Sequence, residues 1–257
     1  MDTPQMPVLF IGHGSPMNAI EDNEFNHAWE AAARQIAKPK AVLCISAHWE
    51  TQGTQVTAMQ APRTIHDFYG FPRPLFEKQY PAAGSPALAN RIIELVGELK
   101  VMPDQSWGLD HGTWSVLCRM YPQADVPVVQ LSLDRESKNA RHYQLGRELQ
   151  PLRQEGVLIV GSGNIVHNLR MMVWEDTAFD WAVEYDEKVK QWILDGEHES
   201  IIHYEKYGKP AMLAVNSAEH YLPLLYILGL KDKDEPISFF ADKLWGGSLS
   251  MRCVRFG

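Results

Sequence analysis

Cysteine is scarce in this sequence. Cys44, Cys118 and Cys253 are the only three in 257 residues, they lie far apart, and no C-x-x-C occurs. An odd, scattered set excludes a disulfide framework and points to a reducing compartment. Basic clusters are missing as well. The formal net charge is -8 with no Lys/Arg-rich stripe, which argues against a nucleic-acid partner, since phosphate neutralisation needs clustered positive charge. No basic segment followed by a long apolar stretch opens the chain, so no signal peptide is expected. No apolar run approaches the roughly 18 residues of a membrane span. These absences together lead to the expectation of a cytoplasmic protein. Repeats, charge blocks and low-complexity linkers are also lacking, so one domain over residues 1–257 is expected.

What is present is an ordinary globular composition, 45% hydrophobic and 22% charged, enough to build a core without staples. Short apolar runs alternate with longer amphipathic segments. Strands are expected over 7–11, 41–47, 55–59, 126–133, 156–163, 210–215 and 248–256. Helices are expected over 23–37, 85–100, 136–156, 180–196 and 218–229, with a further helix start at His111. The Pro-rich stretch 69–86 reads as a long ordered loop. Apolar strands separated by helices imply an α/β fold with a mostly parallel central sheet flanked by helices. Ligands in such folds bind beyond the carboxyl ends of the strands.

Histidines recur at that rim. "VLFIG" ends at His13, "AVLCISA" at His48, and "GVLIVGSGNIV" at His167. A lone histidine is usually a packing residue, but three after apolar strand runs are hard to assign to packing. "WGLDHGTWSVL" places His111 at a helix start, where Asp110 either caps the helix or orients the imidazole. "NSAEHYLPLLYILG" places His220 in the first turn of an apolar helix beside Glu219; such a Glu is often only a dipole complement. His66, beside Asp67 and Tyr69, is expected near a pocket wall, whereas His27, His142, His198 and His203 are expected to be solvated.

Several neutral imidazoles in one pocket suit Fe, Zn, Cu or Ni. The spacing is not that of a structural zinc site, and no H-E-x-x-H is present. "GSGNIVH" lacks the third glycine of a dinucleotide fingerprint, and "GHGSP" lacks the lysine of a P-loop. Neither is a G-x-S-x-G nucleophile elbow. A metal centre is the stronger reading.

"GHGSPM", "SAHWE", "TIHDFYGFP", "DHGTW", "GSGNIVHNL" and "EHYLPLL" together resemble the class III (LigB-type) extradiol ring-cleaving dioxygenases, in the DOPA 4,5-dioxygenase-like branch. These motifs run in consistent order from position 12 to 225. The resemblance implies a non-haem Fe(II) enzyme that uses O2 to open a small catechol beside its two hydroxyls, giving a semialdehyde. It implies His13 and His48 as metal ligands, with His220 as the third in the DOPA-like branch and Glu219 as fallback. His111 and His167 match the acid/base histidines, and His167 is also a candidate fourth ligand if Zn(II) is bound. Alternatives on the same residues are a zinc-dependent hydrolase and a Memo-like binding protein without catalysis. Which catechol is taken and the oligomeric state are left open; Arg63 is a candidate substrate reader.

Overall fold

The computed structural model describes residues 5–97 and 100–257. Its strands are β1 (Val8–Gly12), β2 (Ala41–Thr51), β3 (Thr54–Thr57), β4 (Val101–Asp104), β5 (Val128–Asp134), β6 (Val157–Gly163), β7 (Ile237–Phe240), β8 (Leu244–Trp245), β9 (Leu249–Ser250) and β10 (Cys253–Phe256). Its helices are α1 (Glu24–Arg34), α2 (Arg73–Glu77), α3 (Pro86–Val96), α4 (His111–Met120), α5 (Asn139–Glu148), α6 (Pro151–Gln154), α7 (Asp180–Asp195), α8 (His198–Ile202), α9 (Lys209–Ala214) and α10 (Leu222–Leu230). Eight strands form one sheet in the order β4-β3-β5-β2-β6-β1-β10-β7, with β8 and β9 paired apart.

The centre of the sheet is parallel: β2 pairs with β5 and β6, and β6 with β1. Its strands are continuous apolar runs because both faces are covered. Every residue of β1 and β6 is buried. Leu43, Ile45 and Ile159 face one layer of the core, which includes the wholly buried helix α10, while Val42, Cys44 and Val160 face the other with α1 and α4. The outer strands β3 and β10 run antiparallel to this centre.

Several expectations need correction. Residues 210–215 are not a strand: 210–214 lie in α9, because Pro210 near a helix start has the φ a first turn requires, and Val215 makes only an isolated bridge to His167. The helix expected over 136–156 is two, α5 and α6, divided where Pro151 cannot continue the ladder. The helix expected over 85–100 ends at Val96, and residues 98 and 99 lie outside those described. The run 248–256 is divided between β9 and β10. The loop 69–86 contains the short helix α2, and neither β4 nor β7 was expected.

The break between β9 and β10 has a physical cause. Arg252 there is 2% exposed and turns inward, donating from Nε to Asp186 Oδ2 of α7 at 2.8 Å. Asp186 also accepts from Ser250 Oγ at 2.5 Å, and Glu187 and Asp242 complete the ring of anions around the guanidinium. This cluster ties the C-terminal strands to α7. Replacing Arg252 by Leu would leave Asp186 buried without its cation, so a loss of about 3–5 kcal/mol is expected. Urea denaturation of the variant measures it; a loss below about 1 kcal/mol would show that the cluster is not structural.

Candidate metal centre

The chain leaves β1 at His13, whose backbone N–H donates to Gly163 O at 3.0 Å and so keeps the parallel register with β6 one residue further. Its side chain is 1% exposed. Nδ1 lies 2.9 Å from Ser162 Oγ, and that hydroxyl gives its only proton to Gly112 O at 2.6 Å. Ser162 must therefore accept from His13, which places the imidazole proton on Nδ1 and leaves a lone pair on Nε2. Metal-binding histidines are oriented in this way, with the distal nitrogen donating to a fixed acceptor.

His48 does not end its strand. β2 continues to Thr51, and the pairing with β5 passes from Ile45↔Leu131 to Glu50↔Leu133. Extra residues on one strand make a bulge, which re-aims side chains. The bulge brings His48 Nε2 to 3.1 Å from His13 Nε2. That is the separation of two nitrogens sharing an ion at about 2.1 Å each. Gly112 makes room, since a Cβ there would lie 2.9 Å from His48 Cδ2 and 2.5 Å from Ser46 Oγ.

His220 sits in the turn before α10, not within its first turn. Its carbonyl accepts from Asn164 N at 2.8 Å, and its Nδ1 lies 3.1 Å from Glu219 Oε1. Glu219 stands beside His220, and donor atoms of His167, Glu219 and His220 also lie within 4.8 Å of one another. The glycines of "GSGNIVH" serve this packing rather than a phosphate: a Cβ on Gly163 would fall 2.1 Å from His220 O.

The ring centroids of His13, His48 and His220 are separated by 5.0, 5.3 and 4.9 Å. Imidazoles bound through nitrogen to one ion have centroids about 4.6–5.3 Å apart for right-angled to tetrahedral arrangements. This near-equilateral triangle fits three ligands of one metal. His111 also approaches, and the donor atoms of His13, His48 and His111 lie within 4.8 Å of one another. Its triangle is skewed, however, at 3.8 Å to His48 and 5.9 Å to His13. His167 stacks on His220 at 3.4 Å with the rings 7° from parallel. Parallel rings aim their lone pairs side by side, so His167 must turn to join the same ion.

The cluster is built to be neutral. Burial, then mutual repulsion with neighbouring imidazolium charge, holds His13 and His220 well below the usual histidine range. His48 is lowered to about 3 and His167 to about 4, burial again being the main cause. Neutral imidazole is the form that binds metal.

The surrounding carboxylates are divided in role. Asp110 caps α4 by accepting from Thr113 N at 3.1 Å, and takes further bonds from Ser46 Oγ at 2.7 Å and from Gln130. It does not orient His111. Asp67 touches that ring instead, with Oδ1 2.9 Å from His111 N and Oδ2 2.9 Å from Nδ1. Sequence reasoning passed over Asp67 as a mere neighbour of His66 in "TIHDFYGFP", and it gave no role to Ser162. His66 itself donates from Nε2 to Lys78 O at 2.9 Å and packs beside Trp114, so it pins a loop. His142 is not solvated: it is 1% exposed, with Nδ1 3.0 Å from Tyr226 OH. His27 and His203 are exposed, and His198 is half-buried against Tyr143 OH. Arg63 donates to Trp107 O at 3.0 Å.

Residues 7–246 match the family described as the catalytic LigB subunit of aromatic ring-opening dioxygenase. The chain belongs to the LigB family. It is thereby an aromatic ring-opening dioxygenase; enzymes of this family depend on a metal, and the histidine cluster could hold one. Across all of its length it is 46% identical to the 4,5-DOPA dioxygenase extradiol of Escherichia coli (strain K12), of which it covers 97%. It is 38% identical to the enzyme of the same name from Beta vulgaris, over 96% of this chain and 95% of that one. A crystal structure of an uncharacterized protein from Escherichia coli K12 superimposes with a TM-score of 0.86 at 42% identity, covering 98% of this chain and 100% of that one. Among the described residues no helix of this LigB-family enzyme is long and apolar enough to cross a membrane.

The close approach at Gly163 is testable. Gly163→Ala should displace the turn carrying His220 and cost about 1–3 kcal/mol, the usual range for overpacking. Thermal or urea unfolding reads the loss; wild-type stability would show that the turn yields freely.

Proposed function

We propose that this LigB-family enzyme uses Fe(II) and O2 to open a small catechol, DOPA or a close analogue, beside its two hydroxyls, releasing a semialdehyde. The observation that carries this reading is the near-equilateral triangle of His13, His48 and His220. The names of the relatives support DOPA as substrate. Zn(II) is the other ion these donors suit, and His167 would complete a tetrahedral set by turning its ring. The whole chain, 1–257, is taken to act as one domain, and the buried free thiols of Cys44, Cys118 and Cys253 favour a cytoplasmic setting.

Three imidazoles on one side of a metal leave open positions, where Fe(II) when bound brings the catechol oxygens and O2 together. The protein groups do the rest. Ser162 and Glu219 hold the rings of His13 and His220 so that Nε2 faces inward. His111 and His167 stand beside this triangle and exchange protons with the substrate, one accepting from a catechol hydroxyl and one donating as the ring opens. Burial keeps bulk water from competing for these transfers.

Anaerobic loading with Fe(II), then a panel of catechols in air with O2 uptake and yellow product recorded, tests the activity. Turnover of no catechol would overturn it. His13→Ala should lose the metal with the fold intact. His111→Ala should keep the metal and lose about 10²–10⁴-fold in turnover. Metal loss in His111→Ala would place that residue among the ligands.

A further inference from the structure

Each inward-facing imidazole needs its outer nitrogen settled, and the three acceptors that do so differ. His13 uses a hydroxyl backed by a carbonyl, and His220 uses Glu219. His111 has Asp67. One carboxylate oxygen of Asp67 accepts the His111 backbone N–H, which anchors it at the start of α4. The other lies 2.9 Å from His111 Nδ1 and 3.8 Å from His48 Nδ1. His111 Nδ1 is buried with no aligned partner among the described residues, so this oxygen is the acceptor nearest to hand; it stands off the N–H direction. Hydrogen bonds at reacting groups are often poorly aligned before substrate enters. The Asp67 side chain is only 18% exposed, and the ring of Phe68 packs edge-on against His111 on the same loop.

We propose that Asp67 is the positioning residue that holds the proton of His111 on Nδ1, so that Nε2 is the site receiving a proton from the substrate hydroxyl. The assignment rests on the ring-opening reading and extends it, separating His111 from His167, which stacks on His220. In the step, the substrate O–H bond breaks, its electron pair stays on oxygen, and the proton forms an N–H bond at His111 Nε2. The imidazolium so formed keeps Nδ1–H toward Asp67, whose negative charge stabilises it. Replacing such a carboxylate by its amide preserves shape and presents the wrong tautomer.

The test uses zinc(II)-loaded protein, which is diamagnetic, and ¹⁵N-correlated NMR of the imidazole rings. Wild type should show His111 with its proton on Nδ1, and Asp67→Asn should move it to Nε2. In the Fe(II)-loaded enzyme, Asp67→Asn should lower kcat by about 10²–10⁴-fold, with KM within about threefold and metal content unchanged. Asp67→Glu, which keeps the anion, should recover part of kcat. A wild-type His111 protonated on Nε2 overturns the proposal without any variant. So does an unchanged kcat in Asp67→Asn, or loss of its metal, which would mean that Asp67 acts on His48. If wild type opens no catechol, the ring-opening reading falls while the NMR still decides the tautomer.

Discussion

Imidazoles packed together inside a protein must stay uncharged and must not point unsatisfied nitrogens at one another. That constraint governs this structure. His13 and His48 lie with ring centroids 3.8–5.9 Å from each other and from His111 and His220, and burial pushes His13, His48 and His220 toward the neutral form. Each neutral ring has one donor and one acceptor nitrogen. Supplying an outward acceptor turns a lone pair inward, and Ser162 and Glu219 do this for two of the rings. The result is a set of converging lone pairs that a cation satisfies.

The sheet holds those acceptors in place. Ser162 lies on β6 between β1 and β2, and its hydroxyl reaches across to Gly112 of α4. A shift of register by one residue would turn Ser162 to the opposite face and remove the acceptor from His13. Asp110 performs a second tie. Although wholly buried and raised to about 6, chiefly by that burial, it accepts bonds from Ser46 of β2, Gln130 of β5 and the Thr113 backbone of α4. A carboxylate so bonded locks together the elements that carry His48 and His111. Its removal would leave several buried donors without partners, which is the costly form of losing a hydrogen bond.

Glycine permits the remaining approaches. Gly112 lets the His48 ring lie against the start of α4, and Gly163 lets the His220 carbonyl come down onto β6. The glycines around these histidines therefore act by lacking a side chain, and they lie within the residues 7–246 that match the LigB family. Away from the site, the Arg252–Asp186 cluster fastens the strand pair that closes the sheet.

Much was legible in the sequence because it depends on local pattern. The apolar runs of β1, β2, β5 and β6 announce buried parallel strands, and the histidines that follow the apolar runs at 8–12, 41–47 and 156–166 point to a site at that rim. Where local signals compete, reading failed: "PAMLAV" looks like a strand, yet Pro210 starts α9, and the apolar content of 248–256 hides an inward-turned Arg252. The tertiary structure alone decided which groups orient the histidines. Asp67 lies 44 residues from His111 and Ser162 lies 149 from His13, so neither pairing leaves a trace in spacing. A hydrogen bond is set by where two segments meet in space, and only the folded sheet brings those segments together.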